Sequence, residues 1–152
     1  EHCDSRHNQS SIYSTDCRTN DRPEVILWGD SYAMHLAQGL ISSNPGIALV
    51  QATRSICGPI LDTAPVVANH SESWMQDCLA TNNQVLQYIR NSPSIKYVVL
   101  SSPFDRYLAS GNRLLLADGH LVVSGEAGLS ELQRTVNVLK DIGVIPVIVA
   151  KT

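Results

Sequence analysis

The sequence has little positive charge and few aromatic rings. Eleven Lys and Arg stand against fourteen Asp and Glu, a formal net charge of −3, and aromatics make up 5% of 152 residues with a single Phe. The basic residues are scattered rather than gathered in a stripe, which leaves no electrostatic footprint for a nucleic-acid backbone. Apolar runs stay well short of the roughly 18–20 residues that a membrane-spanning helix needs. The opening EHCDSRHNQSS is polar and unlike a secretory leader. The chain is therefore expected to be soluble, while the lack of an initial Met leaves room for excision from a longer, anchored protein. There is no C-x-x-C pair and no Cys/His cluster, so neither a metal nor a cofactor is expected. Internal repeats and low-complexity tracts are also absent.

What is present is a 43% hydrophobic content, enough for one domain with a real core. Four cysteines, Cys3, Cys17, Cys57 and Cys78, form two local pairs around polar stretches. Of the three possible connectivities, Cys3 with Cys17 and Cys57 with Cys78 close the shortest loops at least entropic cost. Disulfides imply an oxidising, extracytoplasmic compartment. Reduced, buried thiols in a cytosolic protein are the competing reading.

Hydrophobic patterning divides the chain. Residues 1–23 lack apolar periodicity and read as an irregular, disulfide-closed lead-in, with the main domain at 24–152. Continuous apolar runs predict buried parallel strands at 24–28, 47–52, 97–101 and 144–150. Helical spacing predicts helices at 32–43, 71–91 and 126–142, the first stopped by Asn44-Pro45-Gly46 and the second by Ser92-Pro93. An inserted hairpin is expected at 113–117 and 120–123, turning at Asp118-Gly119. Strands alternating with helices predict an α/β fold in three layers, α/β/α, around a mostly parallel sheet. Functional loops then belong at the carboxyl ends of the strands.

The chemistry concentrates in Trp28-Gly29-Asp30-Ser31-Tyr32. A serine emerging from a strand-to-helix turn meets unpaired backbone N–H groups, where it can attack a carbonyl while its own N–H holds the oxyanion. An ordinary Ser or Asp helix cap is the plainer reading of the same residues.

Ile26-Leu27-Trp28-Gly29-Asp30-Ser31-Tyr32-Ala33-Met34-His35, the Cys57-Gly58-Pro59 loop and the Cys-rich lead-in together resemble SGNH, or GDSL-type, hydrolases. They are most similar to the SGNH domain fused behind acyltransferase-3 membrane domains in bacterial polysaccharide O-acetyltransferases. The resemblance spans about residues 20–150 and implies a flavodoxin-like SGNH fold. It also implies Ser31 as nucleophile, Asp30 as the residue shaping its turn and Gly58 as a contributor to the oxyanion hole. The expected activity is transfer of an acetyl group to a carbohydrate hydroxyl of a cell-surface polysaccharide such as lipopolysaccharide O-antigen, through an acyl-serine. The expected partners are the carbohydrate acceptor and an acyl donor delivered by a fused or associated membrane domain. The expected location is the periplasm, tethered to the inner membrane.

Two departures from the family pattern stand out. The third block offers Ser101-Ser102-Pro103 where the family has Asn, and no D-x-x-H follows Ser31. The base His and its Asp are therefore expected beyond Thr152. Asp4-Ser5-Arg6-His7 has the right spacing but precedes the nucleophile. His35, one helical turn after Ser31, reads as structural, and His70 and His120 read as exposed loop residues. A secreted carbohydrate esterase and a non-catalytic carbohydrate-binding domain remain as alternatives.

Overall fold

In the computed structural model, residues 3–5 and 10–151 are described. Four parallel strands form the central sheet: β1 (Val25–Gly29), β2 (Leu49–Thr53), β4 (Tyr97–Ser101) and β7 (Ile145–Val149), in the order β2-β1-β4-β7. Helices α1 (Ser31–Ser43), α2 (Glu72–Arg90) and α4 (Glu126–Ile142) connect them. Because strand side chains alternate between faces, Ile26, Trp28, Val50, Ala52, Val98 and Leu100 pack with α2 and α4. Leu27 and Leu49 pack on the opposite face with Ala33 and Ala37 of α1. The expected three-layer α/β/α arrangement around a mostly parallel sheet follows from this two-sided apolar character.

A second sheet is antiparallel: β3 (Thr63–Pro65), β5 (Arg113–Leu116) and β6 (Leu121–Val123). The hairpin strands and the Asp118-Gly119 turn lie where patterning puts them. Strand β3 and the one-turn helix α3 (Asp105–Leu108) are additions, since three residues ending in Pro and a four-residue helix are too short to show a period. Helix ends follow local signals. Ser71 caps α2 by accepting from the Trp74 N–H, and Gly143 closes α4 in the left-handed region at φ 99°.

Strand β7 corrects one expectation. Among the described residues it pairs only with β4 and most of its side chains are exposed rather than buried, Ile145 at 53% and Ile148 at 49%. An apolar run marks a strand but does not tell a central position from an edge one.

The lead-in is tied down. Disulfides join Cys3 to Cys17 and Cys57 to Cys78, with Cα–Cα separations of 5.6 and 5.7 Å. Bridges link Asp4 to Thr53 and Arg18 to Val50, and Ile12 enters the main core fully buried.

Candidate active site

Strands β1 and β2 run one way across the sheet and β4 lies on the other side of β1, so the winding reverses between β1 and β4. In open α/β sheets a crevice forms outside the carboxyl ends of the strands at such a point. Gly29-Asp30-Ser31 leaves β1 there, and Ser101-Ser102 leaves β4 beside it, with Gly29 and Ser101 in register.

Gly29 is needed for proximity rather than for a special torsion, since it is not among the positive-φ glycines. A Cβ placed on it would overlap the Ser101 carbonyl oxygen. Asp30 is the N-cap of α1, its Oδ1 accepting from the Tyr32 N–H at 2.9 Å. Its Oδ2 accepts from the Ser102 hydroxyl at 2.7 Å. Asp30 is 7% exposed. Burial pushes its carboxyl above the ordinary carboxylate range, and the Ser102 and Tyr32 hydrogen bonds and the Arg106 charge offset part of that rise.

Ser31 opens α1 and is exposed to solvent. Being the first helical residue, its N–H has no intrahelical partner, and no backbone acceptor meets it among the described residues. The helix dipole adds partial positive charge at the same place. Together they make a locus that favours a developing oxyanion next to a free hydroxyl.

Gly58 lies close to this edge but is engaged inside the fold. Its N–H donates to the Tyr107 hydroxyl at 2.8 Å, and its carbonyl accepts from Asn82 Nδ2 at 2.9 Å. Asn82 Oδ1 in turn accepts from Trp28 Nε1 at 2.8 Å. The loop is thus bound to α3, to α2 and to the strand carrying the nucleophile turn, and the second disulfide adds a covalent tether to α2. Burial pushes the Tyr107 phenol far up, which keeps it neutral. Ile56 and Phe104, both in the left-handed region at φ 68° and 63°, line a cavity of about 150 Å³ with Asp30, Ser102 and Tyr107. Left-handed backbone at a non-Gly residue is uncommon, and strain of this kind gathers at functional sites.

The three described histidines are spread out. His35 is exposed on α1, His70 stacks edge-on against Trp74 at 4.6 Å, and His120 pairs with Asp118 at 2.9 Å in the hairpin turn. Among the described residues no imidazole is hydrogen-bonded to Ser31. Asp4 reaches the same sheet edge, where it accepts from the Ser55 N–H and hydroxyl. His7, its partner in the early D-x-x-H, lies outside the described residues. Sequence reasoning missed the roles of Ser102, Tyr107 and Asn82. The one visible signal was Ser102, standing directly after an apolar strand where the family has Asn.

The fold and this turn define a class: an α/β domain carrying an exposed serine on a strand-to-helix turn at the switch point of a parallel sheet. A family model described as "SGNH domain (fused to AT3 domains)" matches residues 2–152, and the chain belongs to that family. No curated protein matches it. Among solved structures it is similar to the lipopolysaccharide acetyltransferase periplasmic domain of Salmonella ser. Paratyphi A, with a TM-score of 0.64 and 16% identity. The match covers 99% of this chain and 52% of that one, so the chain spans about half the length of its solved neighbour. At that identity the likeness speaks for the fold.

Proposed function

We propose that this domain transfers an acetyl group to a hydroxyl of a bacterial cell-surface polysaccharide through an acyl-Ser31 intermediate. The observation that carries the reading is the exposed Ser31 hydroxyl beside its own unpaired N–H at the start of α1, in a chain of the SGNH family fused to AT3 domains. Ser31 Oγ attacks the donor carbonyl, forming the Oγ–C bond. Its proton passes to a base, and the bond from the acyl carbon to the leaving group breaks as the base returns that proton to the leaving group. The acceptor hydroxyl then gives its proton to the base and attacks the acyl carbon, the Ser31 Oγ–C bond breaks, and Ser31 Oγ regains the proton from the base.

The Ser31 N–H stabilises the tetrahedral oxyanion, a contribution of about 3 kcal/mol per donor in comparable sites. Asp30 and Ser102 hold the turn rather than react. A Gly58 contribution to the oxyanion hole requires its N–H to leave Tyr107. The base is a group outside the described residues, a histidine with an orienting aspartate on the family pattern. The acyl donor comes from a fused membrane domain, and the domain works on the periplasmic side of the inner membrane. The two disulfides support an oxidising location.

The test is acetylation of the full-length protein by an activated acetyl ester, read by peptide mass spectrometry. An acetyl adduct on the Ser31 peptide that Ser31→Ala abolishes is expected. Acetylation elsewhere with Ser31 untouched overturns the reading.

A further inference from the structure

A second cavity, of about 390 Å³, is lined by Asp4, Ser55, Arg54, Trp74 and Asp77 among others. That falls within the roughly 300–1,000 Å³ common for small-ligand sites. Its position follows from the topology. Arg54 directly follows β2, and its N–H donates to the Gly29 carbonyl at 3.0 Å, so the cavity lies at the same carboxyl edge of the sheet as the Asp30-Ser31 turn. Helix α2 runs antiparallel to the strands it connects, which brings its first turns, with Trp74 and Asp77, to the same carboxyl edge.

Arg54 is only 6% exposed. Its guanidinium lies 3.9 Å from Asp77 Oδ2 and 3.4 Å from the Thr81 hydroxyl, and 5.8 Å from the centre of the Trp74 ring. Among the described residues its buried Nε has no hydrogen-bond partner. A buried N–H left unpaired loses its hydration without replacement, so a purely structural arginine here is incompletely satisfied. None of these groups takes part in holding the Ser31 turn through its side chain.

Resting on the acyl-transfer reading, we infer that this cavity is the acceptor subsite, and that it binds a neutral hexose ring of the glycan next to Ser31. The chemistry selects the ligand. A sugar ring presents an apolar C–H surface together with alternating donors and acceptors. Trp74 offers the flat apolar surface, Asp77 accepts hydroxyl protons, and Arg54 donates to a ring or hydroxyl oxygen. Arg54 is already opposed by Asp77 at 3.9 Å, so among the described residues the lining offers no uncompensated cation to hold a uronate or phosphorylated sugar. The competing account, a solvated cleft around a structural arginine, predicts no saturable binding.

The experiment titrates the chain with methyl α-D-glucopyranoside and methyl β-D-galactopyranoside as neutral probes and methyl α-D-glucuronopyranoside as the acidic one. The readout is the NMR signals of Arg54 Nε–H and Trp74 Nε1–H. Saturable shifts of both signals with a neutral probe are expected, at a Kd on the order of 1–10 mM, and weaker binding of the acidic one. Asp77→Asn and, separately, Trp74→Leu should each weaken binding about tenfold. No saturable shift with either neutral probe, tighter binding of the glucuronoside, or indifference to both substitutions overturns the inference. Ser31 acetylation of the full-length protein by an activated ester is measured alongside. Acetylation without sugar binding defeats the subsite alone, and sugar binding without acetylation defeats the acyl-transfer reading instead.

Discussion

The hydroxyl of Ser102 donates to Oδ2 of Asp30 across 2.7 Å, joining the end of β4 to the turn that carries Ser31. The same Ser102 oxygen accepts from the Phe104 N–H at 3.2 Å, so one side chain organises both walls of the crevice. Ser102→Ala removes the donor and leaves a buried carboxylate oxygen unmet. A hydrogen bond to a charged group contributes roughly 1.5–3 kcal/mol, and a loss of that size is expected from urea unfolding near neutral pH. The loss should shrink in acid, where a protonated Asp30 no longer depends on the bond. An equal loss at both pH values would show that Ser102 acts on something other than the Asp30 charge.

The Asp30 carboxyl is raised in the folded state, first by burial. A raised carboxyl contributes stability that is fully present below its unfolded pKa and is lost as pH rises through the folded value. At neutral pH the charged, buried form is therefore a net cost. Asp30→Asn removes the charge and keeps an oxygen to cap the Tyr32 N–H. Its stability relative to the parent should climb from acid to neutral pH, the climb beginning at the ordinary carboxylate pKa of the unfolded chain and ending at the raised value of the folded one. Thermal unfolding followed by circular dichroism across that range measures it, and a relative stability that falls with rising pH would reverse the sign.

Gly29→Ala puts a methyl group against the Ser101 carbonyl, a backbone atom held by the β1–β4 ladder. Neither strand can move without shifting its register partners. Overpacking of this kind typically costs about 1–3 kcal/mol and occasionally more, and the upper end is expected here. Gly39, where an added methyl would meet nothing within 4 Å, is the control. Gly39→Ala should be neutral or stabilising by about 1 kcal/mol, as helix propensity directs. Denaturant midpoints of the two variants test the contrast.

The strands and helices of the main sheet were legible because each buries an apolar face, and burial imprints a period on the sequence. Val25–Trp28 and Tyr97–Leu100 show it as unbroken runs, α4 as a stripe through Leu132 and Leu139. Ser31 was legible through its neighbours, since a glycine, an acid and a serine after an apolar strand describe a turn before they describe a reaction. The surroundings of Ser31 were not. Ser102 and Asp30 are 72 positions apart in sequence and Gly58 and Tyr107 are 49 apart. No local pattern reports a hydrogen bond between loops that only the sheet brings together. Gly29 shows the same limit from another side, because its close approach to Ser101 exists only once β4 is paired with β1.

Tyr107 and Gly58 supply the last test, because their hydrogen bond decides whether the Gly58 N–H is available to a substrate. Tyr107 is 1% exposed, and a Cβ on Gly58 would come within 2.6 Å of its ring. Tyr107→Phe keeps the ring and removes only the acceptor. The Gly58 N–H is then buried and unpaired, which costs about 1–3 kcal/mol. The fold should survive, because Asn82 and the Cys57–Cys78 disulfide still hold the loop. Gly58 amide exchange, protected in the parent, should quicken in the variant. If the Gly58 N–H also serves the oxyanion, the variant gains a preformed donor, and Ser31 acylation by an activated ester should rise while stability falls. If acylation is unchanged as stability drops, the Tyr107–Gly58 bond is purely architectural and the Ser31 N–H acts without Gly58. The two measurements, unfolding and acylation, therefore separate a structural hydrogen bond from one that holds a catalytic donor in reserve.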